Sequence, residues 1–207
     1  MVITHHGGQC FKVSFGDTTL AFDPVSKKSK NFSPVKFGAD VALVSVNHPD
    51  FNGVDEVTYG TKQPFVISSP GEYEVGDVTV RGYGIETIYD GEKHYNTLYQ
   101  VTLEGMRLVF LGALSDSAID PKILSELGDI DVLFVPVGGG DVMDVPAASK
   151  LATKLEAHAI IPMHYNKNAL TAFLKEEGSQ NGKPQDKLTL KRKDLTTMSG
   201  EIVVLKE

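Results

Sequence analysis

The sequence predicts an α/β chain of the α+β kind, with β-sheets packed together and helices outside them. Three features point there. Turn dipeptides such as Gly76-Asp77, Asp90-Gly91 and Glu104-Gly105 punctuate apolar runs through the first half, as β-meanders require. At Asp120-Pro121 the apolar spacing lengthens from that of a strand to that of a helix. Beyond that point, buried runs alternate with helical segments.

Taken in order, residues 2–4, 10–15 and 19–22 are strands, the last two joined by Gly16-Asp17-Thr18. Asp23-Pro24 ends the third strand, because proline cannot donate to a ladder. Residues 27–38, with Ser, Asn and Pro, form a surface loop. The run Val41-Ala42-Leu43-Val44 lacks alternation, which fits a strand covered on both faces. Residues 65–67 are another buried strand, and 73–75 with 78–82 make a hairpin; residues 85–89, 96–103 and 106–111 complete the meander. Asp120 caps a first helix with Pro121 at its start and Gly128 at its close, and Ile123, Leu124 and Leu127 form its apolar face. Residues 132–137 are a buried strand leading to Gly138-Gly139-Gly140, 146–156 a second helix, and 159–162 a further strand. Asn166 or Asn168 caps a third helix ending near Gly178, and residues 187–190 and 202–205 read as a closing strand pair. No linker or repeat interrupts this order, so residues 1–207 are expected to form a single domain.

A net charge of −7 with scattered Lys and Arg argues against nucleic acid or an anionic membrane as the main partner. The basic stretch 187–193 is interrupted by alternating apolar residues and reads as the solvated face of a strand. Cys10 is the single cysteine; it excludes an internal disulfide framework and reads as a buried, inert thiol in a reducing, cytoplasmic compartment. No apolar run approaches the length of a membrane span, and the first six residues do not form a signal peptide.

Residues 39–52 are where metal chemistry would sit. A buried strand end gives a rigid base for a ligand loop. His48 and Asp50, two apart, can turn an imidazole and a carboxylate to one side of an extended segment. Val46 and Phe51, beside them, bind no metal. Asp23 reads as a brace beneath this loop, and His158 as a structural residue at a helix end. The Gly138-Gly139-Gly140 turn could cradle an anion, yet it lacks the spacing of a nucleotide-binding loop. Ser115 and Ser117 have no base placed beside them, which disfavours a serine triad.

The order of motifs resembles the metallo-β-lactamase superfamily, and within it the lactonase-like branch that includes ascorbate-6-phosphate lactonase. The resemblance rests on Phe22-Asp23-Pro24, Ser45 to Phe51, Ser69-Pro70-Gly71-Glu72-Tyr73-Glu74-Val75, Asn96-Thr97-Leu98-Tyr99, Phe110-Leu111-Gly112-Ala113-Leu114, the 131–140 run and Ile161-Pro162-Met163-His164-Tyr165. It implies a four-layer αββα sandwich with the metal site along the edge where the sheets open. The family's loop reads Thr-His-x-His-x-Asp-His; here Val46 and Phe51 stand at two histidine positions. Ala113 replaces the aspartate that bridges two metals, and Tyr89 stands where a further histidine is often found. His48, Asp50 and His164 remain at ligand positions. Glu72 and Gly139 are expected to line the cleft.

The leading expectation is a metallo-β-lactamase-fold pseudoenzyme whose dinuclear site is lost. It would hold no metal, or one weakly bound divalent ion such as Zn or Mn, and serve as a binding or structural protein for a small anionic molecule or a protein. The rival is a hydrolase of esters, lactones or phosphorylated small molecules, with one metal on His48, Asp50 and His164, Asp50 as the catalytic carboxylate, and help from His5, His6 or His94.

Overall fold

The computed structural model describes residues 1–179 and 183–207. Strands β1 (Val2–His5), β2 (Phe11–Phe15), β3 (Thr18–Phe22), β4 (Val41–Leu43) and β5 (Phe65–Ile67) come first, with a 3-10 helix at Val54–Val57. The long hairpin follows, as β6 (Gly71–Val75), β7 (Val78–Tyr89), β8 (Glu92–Leu103) and β9 (Met106–Phe110). Helix α1 (Pro121–Leu127), β10 (Val132–Pro136), α2 (Val145–Leu155), β11 (Ala159–Met163) and α3 (Lys167–Glu176) then alternate, before β12 (Leu188–Thr189), α4 (Arg192–Leu195) and β13 (Glu201–Ile202).

The strands make two mixed sheets, ordered β12-β1-β2-β3-β4-β5 and β13-β11-β10-β9-β8-β7-β6. All three residues of β4 are buried, and it runs parallel to both β3 and β5, as its unalternating sequence predicts. Between the sheets lies an aromatic core. Phe11 and Phe134 have ring centroids 4.8 Å apart, and Phe22 and Phe110 5.0 Å. The outer face of the second sheet buries Leu133 and Val135 against Leu127 of α1, Leu151 of α2 and Phe173 of α3. Outside the first sheet the covering layer is loop and the single 3-10 turn, with Val25, Val35 and Val57 packed on Ala21 and Ala42.

The caps behave as their residues require. Asp120 accepts from the Lys122 amide and Asp144 from the Ala147 amide, while Asn166, not Asn168, caps α3 by accepting from the amides of Asn168 and Ala169. Three expectations need correction. Residues 65–67 form a strand but not a buried one: β5 is the edge of its sheet, so Phe65 and Val66 are exposed and only Ile67 enters the core. Strand β7 does not break after Gly82: it pairs with β8 from Thr79 to Tyr89 without interruption. The glycines serve close packing instead, because a Cβ at Gly84 would lie 2.9 Å from the Pro70 ring and one at Gly82 3.1 Å from Ser69 O. The tail strands do not pair with each other. β12 is antiparallel to β1 in one sheet, β13 is parallel to β11 in the other, and α4 lies between them. At two residues each, their alternation is too short to reveal a partner. Among the described residues, no helix is long and apolar enough to cross a membrane.

Candidate functional site

The loop after β4 is fixed from both sides. Asp23, fully buried, accepts from the backbone N and Oγ of Ser45, each at 2.6 Å, and Ser45 O accepts from the Thr97 amide. Asp23 is therefore the brace its position suggests. Further along, Ser26 N donates to Pro49 O and Gly53 N to Pro24 O. A Cβ at Gly53 would lie 2.5 Å from the Ser26 nitrogen, so only glycine lets the two loops meet this closely. Asn96 completes the frame, donating to Leu111 O and accepting from Ala113 N.

This frame brings His48, Asp50 and His164 together around one side chain, Tyr89. Its ring centroid lies 5.0 Å from that of His48 and 5.8 Å from that of His164, and its hydroxyl donates to Asp50 Oδ2 at 2.8 Å. The Asp90-Gly91 turn, with positive φ at both residues, ends β7 so that Tyr89 projects there. Val46, Phe51, Ala113 and Val142 are buried with Tyr89 in one apolar cluster. Three of those four stand at the positions where the resemblance implies lost ligands. Phe51 meets Tyr89 edge-on with centroids 4.8 Å apart.

Each of the three retained groups has hydrogen-bond partners within the fold. Asp50 is fully buried and accepts from Ser29 Oγ at 2.5 Å, Asn31 Nδ2 at 2.8 Å and Tyr89. Burial opposes its charge, yet these three hydrogen bonds outweigh burial and hold the carboxyl below its usual range. His48 Nδ1 accepts from the Asp50 amide at 3.2 Å, which puts the proton of the neutral ring on Nε2, 3.7 Å from Asp90 Oδ2. His48 Nδ1 also lies 3.5 Å from Asp50 Oδ2, a contact that attracts only when the ring is protonated. His164 sits at φ 50° and takes a hydrogen bond on Nδ1 from Gln9 Nε2 at 2.9 Å. Burial pushes its pKa down to about 4, against the pull of Asp50 and Asp141.

Among the described residues, no three His, Cys, Asp or Glu side chains gather as a metal site. A divalent ion does not fit here. The Tyr89 ring packs on both histidines, the carboxylate oxygens already have donors, and a partly coordinated cation against Phe51 and Val46 would be costly.

Of the substitute ligands, only His94 approaches His48, with ring centroids 6.2 Å apart. His5 is buried, stacked on Phe11, with Nε2 on Gly8 O; His6 lies against Phe37 with Nε2 on Thr4 Oγ1. Glu72 does not line the cavity beside His48. It lies on the edge strand β6, largely exposed and 3.3 Å from Arg81 across the pair, because the alternation of an edge strand turns it to solvent. Gly139 adopts φ 71° in a tight turn that donates to Met143 O and presents Val142 to the apolar cluster. Sequence reasoning missed Gln9, Ser29 and Asn31. Their only signal is a polar side chain in a loop, which is shared with many solvated residues.

Two buried groups give opposite pH dependences. Burial pushes Asp23 up to about 8 from an ordinary 3.8, against the Ser45 hydrogen bonds, so the folded state holds an extra proton across that window. Stability from Asp23 therefore falls as pH rises through it. His164, lowered from 6.5 to about 4, gives stability that rises between those values and largely offsets Asp23 there. Between about pH 6.5 and 8 Asp23 acts alone, and the expected loss is as much as about 2 kcal/mol at 1.36 kcal/mol per unit. Urea unfolding at those two pH values checks this; Asp23→Asn should flatten the difference, and an unchanged difference in the variant would refute the assignment.

Two facing mixed sheets, helices outside, and a ligand-type loop at the end of the fourth strand define a metallo-β-lactamase fold. Residues 2–164 match the family model of the β-lactamase superfamily domain, and the chain belongs to that superfamily. It is similar to a UPF0173 metal-dependent hydrolase of Listeria innocua, 28% identical over 80% of this chain and 86% of the relative. The crystal structure of a protein described as a Zn-dependent hydrolase of the metallo-β-lactamase superfamily, from Thermotoga maritima, is 30% identical, covers 99% of this chain and 97% of its own, and superposes with a TM-score of 0.77. A metal-dependent hydrolase from Parabacteroides distasonis shares the fold, with 17% identity, 99% and 93% coverage and a TM-score of 0.66.

Proposed function

We propose that this chain is a non-catalytic member of the superfamily, a single-domain cytoplasmic protein that binds a small anionic molecule or a protein partner. The observation that carries the reading is Tyr89, whose phenol donates to Asp50 while its ring packs on both His48 and His164. A catalytic metal centre keeps several protein ligands and an open position for water. Supporting the reading, Val46, Phe51, Tyr89, Ala113 and Val142 are buried together in an apolar cluster beside these groups. The relatives are metal-dependent hydrolases by description, so the reading rests on this chain's own side chains and not on theirs.

Elemental analysis of protein purified without chelator tests this. The expected result is no stoichiometric transition metal, and no esterase or lactonase activity after zinc or manganese is supplied. A near-stoichiometric metal, with activity that disappears in His48→Ala and His164→Ala, would establish the hydrolase instead.

A further inference from the structure

The loop that Asp50 holds carries three lysines. Ser29 and Asn31 reach inward to the carboxylate, and Ser29 Oγ also accepts from the amides of Asn31 and Phe32, which tightens the turn. Lys27, Lys28 and Lys30 are left on the outside. Lys27 lies 3.9 Å from Glu56, whereas among the described residues Lys28 and Lys30 have no carboxylate within ion-pair distance. Both line a cavity of about 330 Å³ with Asn31, His48, Pro49 and Asp90. That volume is at the low end of the roughly 300–1,000 Å³ typical of small-molecule sites.

Two unpaired lysines lining one cavity give it local positive charge on a chain whose net charge is −7. We propose that this cavity is a binding site for a small oxyanion of the phosphate type, held by Lys28 and Lys30 with the His48 Nε2–H beside it. The inference deepens the non-catalytic reading above and rests on it, since Asp50 is taken as the anchor of the loop and not as a metal ligand. Two ammonium groups match a doubly charged head, so phosphate should bind better than a monocarboxylate. Asp90 sets the limit. Its carboxylate, 3.7 Å from His48 Nε2, competes for the same proton and opposes any anion in the cavity.

The test is calorimetric titration of the full chain with inorganic phosphate and with acetate, accompanied by NMR of the His48 ring. Phosphate is expected to bind and shift the His48 resonances, and acetate to bind more weakly. Each charge near a solvated surface is worth about 1 kcal/mol, or roughly fivefold in affinity. Lys28→Gln/Lys30→Gln should therefore weaken phosphate at least tenfold by the same reckoning, and Asp90→Asn should tighten it roughly fivefold. Both changes lie on exposed side chains, so thermal unfolding should be unaltered and folding is not in question. Absent phosphate binding, or binding equal in the lysine variant, overturns the site and leaves the metal-free reading intact. A stoichiometric metal in the same preparation overturns that reading, whatever phosphate does.

Discussion

Phe51→Ala is expected to lower the unfolding free energy by about 3–5 kcal/mol, the range for emptying a buried aromatic position. For a chain of this size that corresponds to a fall in Tm of roughly 6–20 °C. The reason is the packing around Tyr89. Phe51 is fully buried, edge-on to Tyr89 and beside Val46, Ala113 and Val142, so the alanine leaves a hole lined on most sides by apolar atoms. Thermal or urea unfolding reads the loss directly. A change below about 1 kcal/mol, as for an exposed side chain, would mean that the cleft is open and that Phe51 is not part of a packed unit.

Asp50→Ala should be nearly as damaging, for a different reason. The substitution leaves the hydroxyls of Ser29 and Tyr89 and the amide of Asn31 without their acceptor. Hydrogen bonds to a charged group contribute about 1.5–3 kcal/mol each, not additively, so a net loss of about 3 kcal/mol is expected. Asp50→Asn, which keeps one acceptor oxygen, should fall between. Hydrogen exchange supplies the discriminating measurement: residues 26–32 should lose protection in Asp50→Ala, and a chelator should leave wild-type stability unchanged. Were Asp50 a metal ligand, chelation would reproduce the variant.

Much of the fold is legible in the sequence because its signals are local. The Asp90-Gly91 and Glu104-Gly105 turns, the Asp120-Pro121 cap and the unbroken apolar run at β4 each act over a few residues and appear in the structure as read. Non-local pairing is harder. Gly82 and Gly84 look like breaks along the chain, and only the approach of Ser69 and Pro70 explains them. The two-residue strands β12 and β13 carry no pattern that could say which sheet each joins.

The candidate site divides in the same way. That Val46, Phe51 and Ala113 stand at ligand positions is what the family resemblance implies, whereas their burial with Tyr89 in one cluster is a three-dimensional fact. The partners of Asp50 are not legible in the sequence. The His48 ring accepts the Asp50 amide, and the carboxylate accepts from side chains 19 and 21 positions earlier, a loop contact that no local pattern announces.

The strand order has a mechanical consequence. The chain passes from the first sheet to the second at one lateral edge, between β5 and β6, and between them again at the other, where β12 and β13 lie on different sheets. Both margins of the sandwich are thus stitched by covalent backbone. The link from β5 to β6 is residues 68–70 alone, so separating the sheets at that margin would strain this short connection first, whereas the longer passage through α4 leaves slack at the other.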